Sequence, residues 1–319
     1  MILGIDIGGT KVAYGLAHAS GKLRGRGRRA TECSGDPEAD LARIASGARA
    51  VLAEAGVSAS ELVRVGVAVP GPLDAERRRV IAPPNLPGWE TVAVAERLSR
   101  EFGCPVSLEN DANAAALAEH RFGAGQGVGD LVYLSMSTGV GGGLILGGRL
   151  HRGRSGNAGE LGHTPVEWPG EVCSCGLTGC LEAYIGGAAL ARRMREHAPQ
   201  DSSVVDLAGG REHLSAVHLV AAARGGDAWA RGEMDRFNAY LSQVIVHLAF
   251  ALAPEVIVLG TIAAAAGEAL CLAPVRARVA ESLWPHQAPG LKILPAALGD
   301  ELAEYAGVCV GLEAEEVGV

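Results

Sequence analysis

The N-terminal stretch "ILGIDIGGTKVAYGLAH" alternates apolar and small or polar positions through Ile5, Ile7, Val12 and Tyr14, with "GGT" at the bend. That pattern predicts strand, glycine turn, strand. The period then changes. "PEADLARIASGARAVLAEA", 37–55, has helical spacing, with Pro37 suited to a first turn. "VRVGVAVPG", 63–71, reads as a buried strand and "APPNLPGW", 82–89, as a Pro-rich loop. A helix over 90–102, a strand "PVSLEND" over 105–111 and an Ala-rich helix "ANAAALAEH" over 112–120 follow. Such alternation predicts an α/β fold.

The opening pattern then recurs. "DLVYLSMSTGVGGGLILGGRL", 130–150, is again strand, glycine turn, strand, and its turn again carries a Thr. Two hairpins of one kind, one per half, predict two related lobes facing each other across a cleft. Mostly helical segments lead to the strand "EVIVLG", 255–260, and the chain closes on a strand and a helix from about Asp300. The longest apolar run, "LSQVIVHLAFALAPEVIVLG" at 241–260, raises the question of a membrane span. Gln243, His247 and Glu255 interrupt it and Pro254 splits it, so a buried helix followed by a buried strand is expected.

Composition narrows the class. Hydrophobic content of 48% and mean hydropathy of +0.19 exclude disorder over 319 residues, a length sufficient for two domains. Gly, at 45 residues, is about twice its ordinary share, which points to many tight loops. Net charge of −8 argues against nucleic acid as a partner, and the basic run "KLRGRGRR" at 22–29 reads as a solvated strand edge. The start "MILGIDIGG" has no basic leader, so a soluble protein of the reducing cytoplasm is expected. Of seven cysteines, Cys33, Cys104, Cys271 and Cys309 sit singly in apolar surroundings, as small core residues do.

Four segments could carry chemistry. In "GIDIGGTK", 4–11, a glycine turn exposes backbone N–H groups and the Thr10 hydroxyl to an anion such as phosphate, and Lys11 adds a charge. Asp6 could hold a hydrated Mg²⁺; an ordinary hairpin turn is the plain alternative. "STGVGGG", 137–143, offers the same chemistry again through Thr138 and Gly139. In "LENDANAAALAEH", 108–120, Asn110 and Asp111 stand where a strand hands over to a helix. They are either helix caps, or a substrate-orienting amide and a general base aimed at an alcohol. Finally, "NAGELGHTPVEWPGEVCSCGLTGCLEAY", 157–184, gives His163, Cys173, Cys175 and Cys180 the spacing H-x9-C-x-C-x4-C. One His and three Cys make a closed tetrahedral set for structural zinc, and C-x-C is not a thioredoxin-type pair. Glu160 and Glu182 beside it are exposed loop charges or sugar-binding acceptors.

Taken in order, "DIGGTK", "GPLD", "NLPGW", "ENDANAAALAE", "STGVGGG", "NAGELGH" and "CSCGLTGCLE" resemble the ROK family of bacterial sugar kinases, in particular its glucokinase branch. The resemblance covers nearly the whole chain. It implies an actin/hexokinase-like (ribonuclease H-like) two-lobe fold with an interlobe cleft: a smaller N-terminal lobe of 1–112 plus 300–319, and a larger one of 113–299 with the zinc loop. It implies ATP with Mg²⁺ as donor, transfer to the 6-hydroxyl of glucose, and a homo-oligomer, dimer or tetramer. It makes Asp111 the base. Asn110, Glu160, His163 and Glu182 become sugar ligands, and Asp6, Gly8, Gly9, Thr10, Lys11, Thr138 and Gly139 the phosphate and metal loops. His163 then serves zinc with one ring nitrogen and sugar with the other.

Two departures stand out. Ser137 replaces a frequent Gly, and "VLGTIA", 258–263, lacks the family's glycine run, so that Thr261 and Ile262 stiffen a loop expected near the adenosine. Kinases for N-acetylglucosamine or N-acetylmannosamine share the zinc motif and remain an alternative. The family's sugar-binding repressors carry a winged helix ahead of the first strand, which here begins at Ile2, and negative charge agrees in disfavouring them. A sugar-binding protein without catalysis is disfavoured by the presence of both Asp6 and Asp111.

Overall fold

The computed structural model describes residues 1–83 and 85–317; Pro84, in the 82–89 loop, and residues 318–319, at the end of the 300–319 segment, lie outside them. The chain divides into two compact units. One comprises Met1–Phe122, Gly153–Gly156 and the chain from Leu298; the other comprises Gly123–Arg152 and Asn157–Ala297.

The first unit opens with the hairpin β1 (Ile2–Ile7) and β2 (Lys11–Ala17), in which Ile7 lies opposite Val12, followed by β3 (Leu23–Ala30). Strand β3 holds the basic run and forms the sheet edge, where Arg26 reaches Glu301 at 2.9 Å and Arg24 the Ala55 carbonyl at 3.0 Å. Arginines along an edge blunt strand addition. Helix α1 (Pro37–Glu54) starts where predicted, because Asp36 accepts the Glu38 N–H at 3.0 Å and Pro37 fills the first turn. After β4 (Arg64–Val69), a two-stranded ribbon of β5 (Val80–Ile81) and β6 (Thr91–Val92) precedes α2 (Val94–Phe102). The helix expected from residue 90 therefore starts four residues later, since β-branched Thr91 and Val92 pair in the ribbon instead. Strand β7 (Val106–Asn110) leads into α3 (Asp111–Phe122).

The second unit repeats this plan. Strands β8 (Leu131–Met136), β9 (Val140–Leu146) and β10 (Arg149–Leu150) form the meander. Helices α4 (Glu182–Ile185), α5 (Gly187–His197), α6 (Ser203–Ala208), α7 (Ala216–Gly225) and α8 (Ala228–Leu252) then precede β11 (Val256–Gly260). The apolar run at 241–260 is thus helix, then strand, and Ala253 turns the chain at φ +47. Among the described residues no helix is long and apolar enough to cross a membrane. Helix α9 (Thr261–Gly267) follows β11 directly, then α10 (Ala273–Ser282) and β12 (Lys292–Pro295). The loop expected at 258–263 is therefore absent: Gly260 ends the strand and Thr261 opens a helix.

The last helix, α11 (Leu302–Val317), returns to the first unit. It lies directly on the sheet because both surfaces lack side chains at the crossing. A Cβ added to Gly66 would stand 2.2 Å from the Gly307 carbonyl and the Gly311 nitrogen, and one on Gly4 would stand 2.2 Å from the Val308 nitrogen. The sheets run β3-β2-β1-β4-β7 and β10-β9-β8-β11-β12. In each, the first two pairings are antiparallel and the last two parallel. Two ribonuclease H-like units of this order define the actin/hexokinase-like class.

Candidate active site and metal centre

In the first unit, the turn between β1 and β2 is closed by the Gly8 N–H donating to the Lys11 carbonyl at 2.9 Å, and the Thr31 hydroxyl donates to the Gly8 carbonyl at 2.6 Å. Among the described residues the N–H groups of Gly9 and Thr10 have no partner. Both residues are exposed, as is Lys11, so the turn presents donors to an anion. Asp6 sits one residue before the end of β1. Burial, reinforced by the charge of Asp111 and opposed by Lys11, pushes its carboxyl up to about 7. Two carboxylates that feel each other's charge favour a proton or a cation in their neighbourhood.

Asn110 and Asp111 fall at the junction of β7 and α3. Asn110 Oδ1 accepts the N–H groups of Ala112 at 2.9 Å and Asn113 at 3.4 Å, so Asn110 caps the helix. Asp111 follows as the exposed first residue of α3. Beneath them lies Glu109, 2% exposed, which accepts from the Asn110 N–H at 3.1 Å, Asn113 Nδ2 at 3.0 Å and Arg77 at 3.2 Å. Glu109 and Arg77 escaped sequence reasoning. The available signal was slight: Glu109 follows Val106 and Leu108 in a short strand, but with Ser107 on its own face and Asn110 and Asp111 after it, it reads as one more polar residue of the strand–helix junction.

In the second unit the turn between β8 and β9 is Ser137–Thr138–Gly139, closed by the Ser137 N–H donating to the Gly139 carbonyl at 2.9 Å. Here too the N–H groups of Thr138 and Gly139 have no partner among the described residues. Glu182 lies against this turn: its Oε2 accepts the Val140 N–H at 2.9 Å and its Oε1 the Ser174 hydroxyl at 2.7 Å. The "GELGH" segment packs on β9 through missing side chains. A Cβ on Gly162 would stand 2.1 Å from the Val140 carbonyl, and one on Gly142 would stand 2.7 Å from the Gly159 carbonyl. That packing sets His163 half-buried at the end of a short 3-10 turn, Leu161–His163, with Glu160 exposed just ahead of it.

His163 Nδ1 faces the Cys173 sulfur at 3.7 Å, and the Cys175 and Cys180 sulfurs are 3.8 Å apart. A tetrahedral zinc with bonds of about 2.3 Å to sulfur has sulfur–sulfur edges of about 3.8 Å. The four donor atoms lie within 4.8 Å of one another, so ligation would shorten the longest edge by about 1 Å. Burial and the neighbouring Cys175 thiol push the Cys180 thiol up to about 12; a bound dication reverses this, because coordination takes the thiolate. The donor set, its spacing and its depth fit structural zinc. With Nδ1 turned to the thiols, Nε2 is the nitrogen left for another partner. The loop is braced on α8, where Gln243 donates to the Val166 carbonyl at 3.1 Å, while Tyr184 hydrogen-bonds Glu167 at 3.1 Å.

The ROK family model matches residues 2–307. Glucokinase from Thermotoga maritima is 37% identical over 286 residues, 89% of this chain and 88% of that protein. A ROK glucokinase from Streptomyces griseus, solved with glucose and AMPPNP, superposes with a TM-score of 0.82 at 31% identity, covering 97% of this chain and 98% of that one. The ROK hexokinase of Thermus thermophilus gives 0.80 at 33% identity, with 99% of each chain covered. Paired glycine turns, a carboxylate on a capped helix and a His–Cys₃ cluster thus occur in a chain that matches this family from its first strand to its last helix: it belongs to the ROK family.

Proposed function

We propose that this chain is an ATP-dependent glucokinase, which transfers the γ-phosphoryl group of ATP to the 6-hydroxyl of glucose. The observation that carries the reading is the repeated glycine turn with bare N–H groups, one per unit, together with Asp111 on the capped start of α3. The Thermotoga relative bears the name glucokinase, and the Streptomyces structure holds glucose with an ATP analogue.

In this reading the glucose 6-oxygen attacks the γ-phosphorus and its proton passes to Asp111. The bond from phosphorus to the bridging oxygen breaks, and ADP leaves with the electron pair. Asn110 uses Nδ2 on the sugar, since its Oδ1 is committed to the helix. Glu160 and Glu182 accept from sugar hydroxyls, and His163 meets the sugar through Nε2. The backbone of Gly8, Gly9 and Thr10, with the Thr10 hydroxyl and Lys11, receives donor phosphate in the first unit; Thr138 and Gly139 do so in the second. Asp6 would hold Mg²⁺ through water, and that ion would neutralise charge on the phosphates. Zinc on His163, Cys173, Cys175 and Cys180 would supply rigidity rather than chemistry.

An ADP-release assay with MgATP tests this across glucose, mannose, fructose, N-acetylglucosamine and N-acetylmannosamine. The highest kcat/KM is expected on glucose. A preference for an N-acetyl sugar would replace the substrate, and no turnover on any of the five would end the kinase reading.

A further inference from the structure

The cysteine loop does more than fix His163. Two residues after Cys180 the chain reaches Glu182, and from there to residue 188 it grips the Ser137–Gly139 turn at three points. The Glu182 carboxylate takes the Val140 N–H at 2.9 Å, the Gly187 N–H donates to the Ser137 carbonyl at 2.7 Å, and the Ala188 N–H donates to the Thr138 carbonyl at 2.9 Å. The fit is close. A Cβ on Gly139 would lie 2.3 Å from Glu182 Oε2, and one on Gly187 would lie 2.4 Å from the Ser137 carbonyl. The other carboxylate oxygen of Glu182 accepts from Ser174, which sits between the metal-facing Cys173 and Cys175, at 2.7 Å.

With its outward N–H groups bare and its carbonyls and Val140 tethered behind, the turn owes its shape to this segment. We infer that Glu182 is a positioning residue for the donor-phosphate turn, held by Ser174, so that order in the metal loop is transmitted to nucleotide binding. The inference rests on the reading that this turn receives donor phosphate. A sugar ligand alone would leave nucleotide affinity untouched by Glu182. A strut under the turn makes nucleotide affinity depend on it even without sugar.

The test is calorimetry with AMPPNP and Mg²⁺ on the zinc-loaded protein without sugar, with glucose titrated separately. Losing a hydrogen bond to a charged group predicts that Glu182→Ala weakens AMPPNP about tenfold. Glu182→Gln, whose amide oxygen can still accept from Val140, should recover most of it. Ser174→Ala should weaken AMPPNP about threefold with zinc content unchanged, a smaller loss because the Val140 bond survives. Gly139→Ala should weaken AMPPNP in the wild type, where the new methyl expels the carboxylate, but add little to Glu182→Ala. Wild-type AMPPNP affinity in Glu182→Ala, or fully additive losses for the Gly139 pair, would overturn the inference and leave the kinase reading intact. A wild type that neither binds AMPPNP nor turns over glucose would remove the kinase reading and this inference with it. Amide exchange over 137–142 gives an independent readout: stripping the metal should speed it, and unchanged exchange would also overturn the coupling.

Discussion

At the scale of single residues, the site pairs a carboxylate suited to accept a proton with one already inclined to hold its own. Asp111 is exposed at the start of α3. Its removal would take away the general base of the proposed reaction and leave the helix cap on Asn110 in place. Asp111→Ala should therefore lower kcat by about 10²–10⁴-fold, with glucose binding by calorimetry still measurable; retained turnover would sink its assignment. Asp6 behaves differently, since burial and the Asp111 charge raise its carboxyl to about 7 from 3.8. Between those values the folded chain keeps a proton that the unfolded chain has released, so stability falls as pH rises through that window. The nucleotide- and Mg²⁺-free wild type should lose more melting temperature from pH 5 to pH 8 than Asp6→Asn does. Parallel slopes for the two proteins would show that Asp6 is not the titrating group.

Among the elements, α11 and the strands beneath it depend on the absence of side chains. A Cβ on Gly66 would lie 2.2 Å from the backbone of Gly307 and Gly311, and backbone cannot move aside as the end of a flexible side chain can. Gly66→Ala should cost about 3 kcal/mol in urea unfolding, at the upper end for overpacking; a cost under about 1 kcal/mol would mean the helix can lift. The same logic explains the glycines of β9, where Gly142 admits the "GELGH" segment. What reads as a phosphate-turn signature is partly a packing groove.

For the whole molecule, two units repeat one sheet order, and each buries its own hydrophobic cluster. The second unit also contains the His–Cys₃ cluster suited to zinc, whose loop leans on α8 and on β9. Metal loss should accordingly loosen packing well beyond the four ligands. Purified protein should carry one zinc per chain by elemental analysis. Cys175→Ser should lower that content and the melting temperature together. Full stability without zinc would reduce the cluster to an incidental one.

The sequence by itself determined the element types, the duplicated hairpins and the His–Cys₃ set. Each of these is a local pattern: alternation, helical period, or ligand spacing within one segment. It also placed Asn110 and Asp111 at a strand–helix junction, because a cap is a local device. Only the tertiary structure decided that Thr91 and Val92 pair as a ribbon, that Thr261 opens a helix instead of stiffening a loop, and that Glu109 is buried with Arg77 beneath the cap. It alone brought Glu182 against the turn 43 residues earlier (139 to 182). The reason is common to all four: each depends on which backbone surfaces come close enough to exclude a side chain or to satisfy a buried polar group, and residues distant in sequence set that proximity.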